Sequence, residues 1–329
     1  MVVCINGKVY SFTSCFEPRN FVDVFIFDPA SYRWDMVRTQ VPRGEQFNVS
    51  LDTVVAYGQC AYLWGNPLSW PFQSVIYRFD TNTMTCSRLV VTGEEPRTII
   101  GNTACVVGHR MYVFSLLGNS RNLHFLDLDT LEWHLVRASG EAPALRSLKT
   151  VSTIGTRIYA FRGIPEDPSF AVYYFETTTS SWVRPQVQGV APLRRLGHSA
   201  FVYNGELYIF GGYSNILQNC LADVHKYDTE TSCWTEVKPC GLGPSARFWH
   251  GCSVMGERVF IIGGLGQGPK QDEVLVFERR RAQSDLHVLH LAPTLENLSV
   301  LAVIDAKLDL CEAPSFITEM VKAVTSRPS

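Results

Sequence analysis

Apolar residues gather in short runs separated by turn residues along most of the chain, and one stretch shows the unit clearly. Between Arg195 and Trp234 the apolar runs 200–203 and 207–210 flank Asn204-Gly205. That pair predicts a two-residue hairpin, because the favoured turns need positive φ, which Asn and Gly tolerate. Gly211-Gly212 then predicts the end of the second strand, where glycine enters a tight turn at low steric cost. A third strand is expected at 223–227, closing on Asp228, with Trp234 six residues later beyond another turn.

The unit recurs. An acidic residue followed six positions later by a large one is found at Asp28/Trp34, Asp127/Trp133, Glu176/Trp182 and Asp228/Trp234, with Asp80/Cys86 in the gap. The second members are spaced by 52, 47, 49 and 52 residues. Hairpin turns return in the same phase at Asn6-Gly7, Tyr57-Gly58, Val107-Gly108, Ile154-Gly155, Asn204-Gly205 and Met255-Gly256. The repeat resembles the kelch repeat, a four-stranded propeller blade of about 50 residues. The expected fold class is therefore all-β: a six-bladed kelch β-propeller over 1–292 and a short C-terminal helical tail over 293–329. Because Val2 to Ile5 already reads as hairpin, the first blade is expected to lack its leading strand. That would leave an exposed edge, covered by another strand or completed in a longer protein.

Composition narrows the function classes. The chain has 329 residues, 46% of them hydrophobic and 18% charged, enough to bury a sizeable core. A net charge of −2 offers no electrostatic case for nucleic acid. Ten cysteines without a Cys-x-x-Cys pair point to neither a zinc module nor a disulfide framework, and suit a reduced cytoplasmic or nuclear setting. The N-terminus has no basic n-region, and no stretch approaches a membrane span. No metal, cofactor or catalytic grouping is expected. The paired tyrosines, paired histidines and cysteine of a copper-radical oxidase are not in evidence.

Just ahead of the hairpins stand Arg97, Arg146, Arg195 and Arg247. In a propeller this is where the innermost strand enters the ring, so the four are expected around one mouth of the channel. A planar guanidinium donates two hydrogen bonds at once, which suits a carboxylate ligand. The plainer alternative is that each arginine ties its own blade together through carbonyls or a carboxylate. His198 and His250 follow in phase and are expected to be structural.

After the third strand of blade six, expected at 285–291, the period changes. In TLENLSVLAVIDAKL the positions Leu295, Leu298 and Leu301 or Ala302 follow helical spacing, with Thr294 as N-cap. Two stretches, RLGHSAFVYNGELYIFGGY and SDLHVLHLAPTLENLSVLAVIDAKLDL, resemble the kelch-repeat substrate receptors of cullin RING ubiquitin ligases, and the resemblance spans nearly the whole chain. It implies a non-catalytic adaptor that binds elongin B/C through Thr294, Leu295, Leu298, Ser299 and Val303. Ser299 stands where the family's box has Cys. It also implies a cullin contact around Pro314. At the propeller mouth it implies capture of a protein substrate's free C-terminus by Arg97, Arg146, Arg162, Arg195 and Arg247, with Trp249 beside them. The alternative is a kelch scaffold for protein assembly, meiotic or cytoskeletal, with no ligase role.

Overall fold

The computed structural model describes residues 1–14, 19–41, 47, 49–67, 75–96, 102–115, 122–143, 150–163, 170–240, 243–267 and 281–292. Every helix or strand among them is a strand. Each sheet of the repeat is an antiparallel meander in sequence order. Blade one consists of Val2–Ile5, Lys8–Phe12, Phe21–Asp28 and Arg33–Gln40. Blade five runs Ser199–Tyr203, Glu206–Ser214, Asn219–Asp228 and Cys233–Val237. Blade six holds Gly251–Met255, Arg258–Ile262 and Leu286–His290. The first strands of the six blades touch in a closed cycle, with Val2–Ile5 beside both Val49–Tyr57 and Gly251–Met255.

Blade one thus carries all four strands, and the expectation that its leading strand is missing is corrected: Val2–Ile5 is the innermost strand, in the same phase as Ser199–Tyr203. Its neighbour across the seam is blade six. Phe27 stacks edge-on against the buried Phe260 at 5.6 Å, and a cluster of Val9, Phe27 and Phe260 with Val2, Ile262 and Leu286 fills the join. The expected helical tail, including Thr294, Leu295, Leu298, Ser299, Val303 and Pro314, lies outside the described residues.

Two local devices explain the repeat. In the hairpins, Asn6-Gly7 and Asn204-Gly205 both have positive φ, as a type I′ turn requires. In the other four the paired strands enclose Gly58-Gln59, Gly108-His109, Gly155-Thr156 and Gly256-Glu257, one residue later than the sequence reading placed them. There only the leading glycine has positive φ, the pattern of a type II′ turn. The acid-to-Trp turns share one geometry. Asp28, Asp80, Asp127 and Asp228 each accept a hydrogen bond from the backbone N–H two residues on, and the residue four positions after the acid turns left-handed. That brings the large residue at position six opposite the residue before the acid, as in the pairs Leu126 with Trp133 and Tyr227 with Trp234.

A further element joins the blades. Thr92–Gly93, Ser139–Gly140 and Gln188–Gly189 leave blades two, three and four and add as short parallel strands to the outer edge of the next blade. Each glycine pairs with Trp133, Trp182 or Trp234, and a Cβ on it would lie only 2.1 to 2.3 Å from that tryptophan's carbonyl oxygen. Backbone against backbone at that distance tolerates no side chain, and φ is positive at all three glycines.

Candidate functional site

In a four-stranded meander, the first and third turns lie at one end and the second loop and interblade segment at the other. At the second end of blade five, the strand Glu206–Ser214 does not stop at the diglycine as its sequence suggests. It passes through with a bulge between Phe210 and Gly212, φ being +65° at Gly211 and +104° at Gly212. Beyond the bulge it pairs onward with the third strand and bridges to Leu196. In blade six the second strand ends at Ile262, and past Gly263-Gly264, both at positive φ, Leu265–Gly266 pairs with Arg247–Phe248 on one side and Arg281–Ala282 on the other in a small sheet of its own. The glycines also admit the next blade: a Cβ on Gly211 would sit 2.7 Å from the Arg247 carbonyl.

Each diglycine cradles a buried arginine. The Arg247 guanidinium donates to the carbonyls of Ser245 (3.0 Å) and Gly263 (2.9 Å), to the Ser245 hydroxyl (2.9 Å), and to both Asp285 carboxylate oxygens at 2.6 and 2.8 Å. All five of its N–H groups are thereby used. Arg195 donates to the carbonyls of Leu193 and Gly211 and to both Asp223 oxygens at 2.5 and 2.7 Å. The carboxylates are held from the other side by His225 and His287, each 2.9 Å away. Burial alone would raise the Asp223 carboxyl, but hydrogen bonds from His225 and Arg195 hold it well below the usual range. Asp285 is brought down to about 2, chiefly by its hydrogen bond from Arg247.

His250 bridges the same two blades, its Nε2 lying 2.8 Å from the Ser199 hydroxyl. Burial and then the Arg247 charge push it down to about 4, and burial with the charges of Arg195 and His250 takes His198 to about 3, so both are neutral at physiological pH. Between the two braces stands Trp249. Its backbone is left-handed, φ +54°, at the position where blade five has Gly197 at +66°. The Trp249 N–H donates to the Gly197 carbonyl at 2.7 Å, and a Cβ on Gly197 would collide with the indole at 2.6 Å. The indole rests 4.8 Å from the buried Phe248 ring, which in turn lies 5.9 Å from Tyr213. Trp249 is nevertheless 48% exposed. A non-glycine residue in this conformation is strained, and here hydrogen bonds and packing hold an aromatic plate open to solvent.

A family model described as the KLHDC2/KLHL20/DRC7 Kelch-repeats domain matches residues 52–264. The chain belongs to the kelch-repeat family. It is 32% identical to Kelch domain-containing protein 3 of Rattus norvegicus and 31% identical to that of Homo sapiens, in alignments covering 98% of this chain and 92% of the relative. Similarity to Kelch domain-containing protein 1 of Mus musculus is lower, 25% over 64% of this chain and 61% of the relative.

Of the mouth residues expected from sequence, the kelch ring brings together Arg195, Arg247 and Trp249 at one end. Arg97 and Arg146 lie outside the described residues. Arg162 falls in the strand Arg157–Gly163, opposite Ala171. The geometry of Arg195 and Arg247 is the plainer alternative: each ties its own blade through carbonyls and a carboxylate. The partners Asp223, His225, Asp285 and His287 went unread in sequence, although ADVHKY and SDLHVL repeat an Asp-x-His pattern in phase. Among the described residues no group of three or more His, Cys, Asp or Glu is placed to hold a metal ion, and no helix is long and apolar enough to cross a membrane.

Proposed function

We propose that this kelch propeller is the substrate-recognition subunit of a cullin–elongin RING E3 ubiquitin ligase, its mouth holding the free C-terminus of a protein substrate. The observation that carries the reading is Trp249, a fixed and exposed aromatic at one end of the ring, backed by two buried arginine braces. Large rigid aromatics on a prearranged surface gain contact area at small entropic cost, which favours peptide binding. Arg195 and Arg247 act in this scheme by fixing the surface rather than by touching the substrate.

The carboxylate itself falls to Arg97, Arg146 and Arg162. Counting back five residues from each blade's acid, as from Asp228 to Asp223, gives Asn122 in blade three and Ala171 in blade four. Neither blade supplies an acidic partner at that position, which supports keeping those guanidinium groups for a ligand. Docking to elongin B/C falls to the tail, through Thr294, Leu295, Leu298, Ser299 and Val303, and to the cullin around Pro314.

The test uses the intact chain. It should capture the elongin B/C pair, and Leu295→Ala should remove about 2 kcal/mol or more of that contact. A peptide with a free C-terminal carboxylate should bind the parent and lose at least tenfold when amidated. Failure to bind elongin refutes the ligase role, and indifference to amidation refutes the C-terminus reading.

A further inference from the structure

At the Trp249 end of the ring, exposed apolar side chains gather on blade five. Its second and third strands, Glu206–Ser214 and Asn219–Asp228, are joined there by a loop of only four residues, 215–218. Ile216 and Leu217 on this loop are 52% and 54% exposed, and Leu193, on the segment that enters the blade, is 39% exposed. A lone exposed leucine needs no explanation, since much of any protein surface is apolar. These three adjoin one another and Trp249. Leu196 bridges to Tyr213, and the Gly197 carbonyl accepts from the Trp249 N–H, so the segment from Leu193 to Gly197 runs between the loop and the indole. The buried Tyr213 and Phe248 rings, 5.9 Å apart, floor the path from the loop to Trp249.

The loop is also held in place. Ser214 and Asn219 pair across its base, the Leu217 N–H donates to the Ser214 hydroxyl at 3.2 Å, and the Gln218 side chain donates to the Asn215 carbonyl at 2.6 Å. The same Gln218 amide accepts from the Tyr213 hydroxyl at 3.0 Å, and Gln267 of blade six accepts from the Cys220 N–H at 3.3 Å. Ser214 and Gln218 thus use their polar groups on the loop itself, while its two branched apolar side chains face water. An apolar surface prearranged in this way makes contact at little entropic cost.

Its size selects the kind of partner. The four side chains expose on the order of 400 Å², half of the ~800 Å² that each partner contributes to a standard protein interface. That is too little for a second folded copy of the chain and fits a few residues of extended peptide. Strands of a sheet lie about 4.8 Å apart, so a loop between the second and third strands stands roughly 7 Å outside the innermost one, about two residues of extended chain.

We propose that the peptide whose C-terminus the mouth holds runs outward over blade five, and that Leu193, Ile216 and Leu217 receive a large apolar side chain upstream of that terminus. The inference rests on the C-terminus reading of the mouth and narrows its substrates to proteins with an aliphatic or aromatic residue about two positions beyond the channel wall.

The test applies the fluorescently labelled full chain to an array of twelve-residue peptides tethered by their N-termini, each made as the free acid and as the amide. The last four positions are varied, and every ending is offered with Ser or with Leu at each position upstream. Free acids should bind at least fivefold more tightly with Leu at one of these positions. The double variant Ile216→Ser/Leu217→Ser should lose that gain while still choosing the same endings and preferring acid to amide. Selected endings without a gain from Leu overturn the proposal and leave the mouth reading standing; a gain that the double variant keeps does the same. Unchanged peptide binding by the double variant with faster tryptic cleavage of residues 293–329 overturns it by giving the loop to the chain's own tail. Equal binding of acids and amides, or none, refutes the mouth reading and this inference with it.

Discussion

Replacing Arg247 by Met removes five hydrogen bonds at once and leaves its apolar volume largely filled. The loss can be bounded from the partners. Removing one member of a buried ion pair costs about 3–5 kcal/mol because the other is left uncompensated. Here the Asp285 side chain is 41% exposed and can rehydrate, so the lower end applies, about 3 kcal/mol. Arg247→Lys should recover little of this, since an ammonium cannot offer the planar fork that meets two carboxylate oxygens and a carbonyl together. The measurement is urea unfolding of the full chain for parent, Arg247→Met, Asp285→Asn and the double variant. Charge-assisted bonds of this kind contribute about 1.5–3 kcal/mol, so the cycle should return a coupling of that size. A coupling near zero would mean that Arg247 and Asp285 do not act as a unit, and the assignment of this arginine to the fold would fail.

Acid should weaken the ring before it reaches the carboxylates. His198 and His250 are neutral in the folded chain, with values of about 3 and about 4 against about 6.5 when unfolded. The unfolded chain therefore takes up protons first, and stability that is complete above pH 6.5 falls as the pH drops toward 4. Tm measured from pH 7.5 to 4.5 should show this decline, with His250→Gln flattening it; a level profile contradicts the neutral assignment. The Asp223 and Asp285 braces, with lowered values, should give way only below about pH 4. Gly140→Val places a Cβ 2.1 Å from the Trp182 carbonyl at φ +81° and should cost about 2 kcal/mol or more in urea unfolding, more than at Gly155, which shares the positive φ but has no atom within 4 Å. Trp249→Gly relieves a left-handed residue, so stability should change by less than about 1 kcal/mol while binding of a free-carboxylate peptide is lost; retained binding refutes the role of the indole.

The repeat was legible because its devices are local. An Asn-Gly or Gly-x pair sets a hairpin, and an acid that captures the next N–H groups sets the turn to Trp, whatever the rest of the chain does. Even the register errors were local: a shift of one residue in four turns follows from type II′ placing glycine first. The connector glycines of TGEEP, SGEAP and QGVAP were in plain view, but their reason is a carbonyl contributed by Trp133, Trp182 or Trp234, about 40 residues later in sequence.

Sequence by itself determined six units of one kind, their strands and turns, and the family. Only the tertiary structure decided that Val2–Ile5 is an innermost strand, since this depends on its lying between Val49–Tyr57 and Gly251–Met255. It likewise decided what the arginines do. An arginine ahead of a hairpin is suited equally to a ligand's carboxylate or to one of its own. For Arg195 and Arg247 the choice was made by Asp223 and Asp285, 28 and 38 residues away in sequence, which the fold brings within hydrogen-bonding distance.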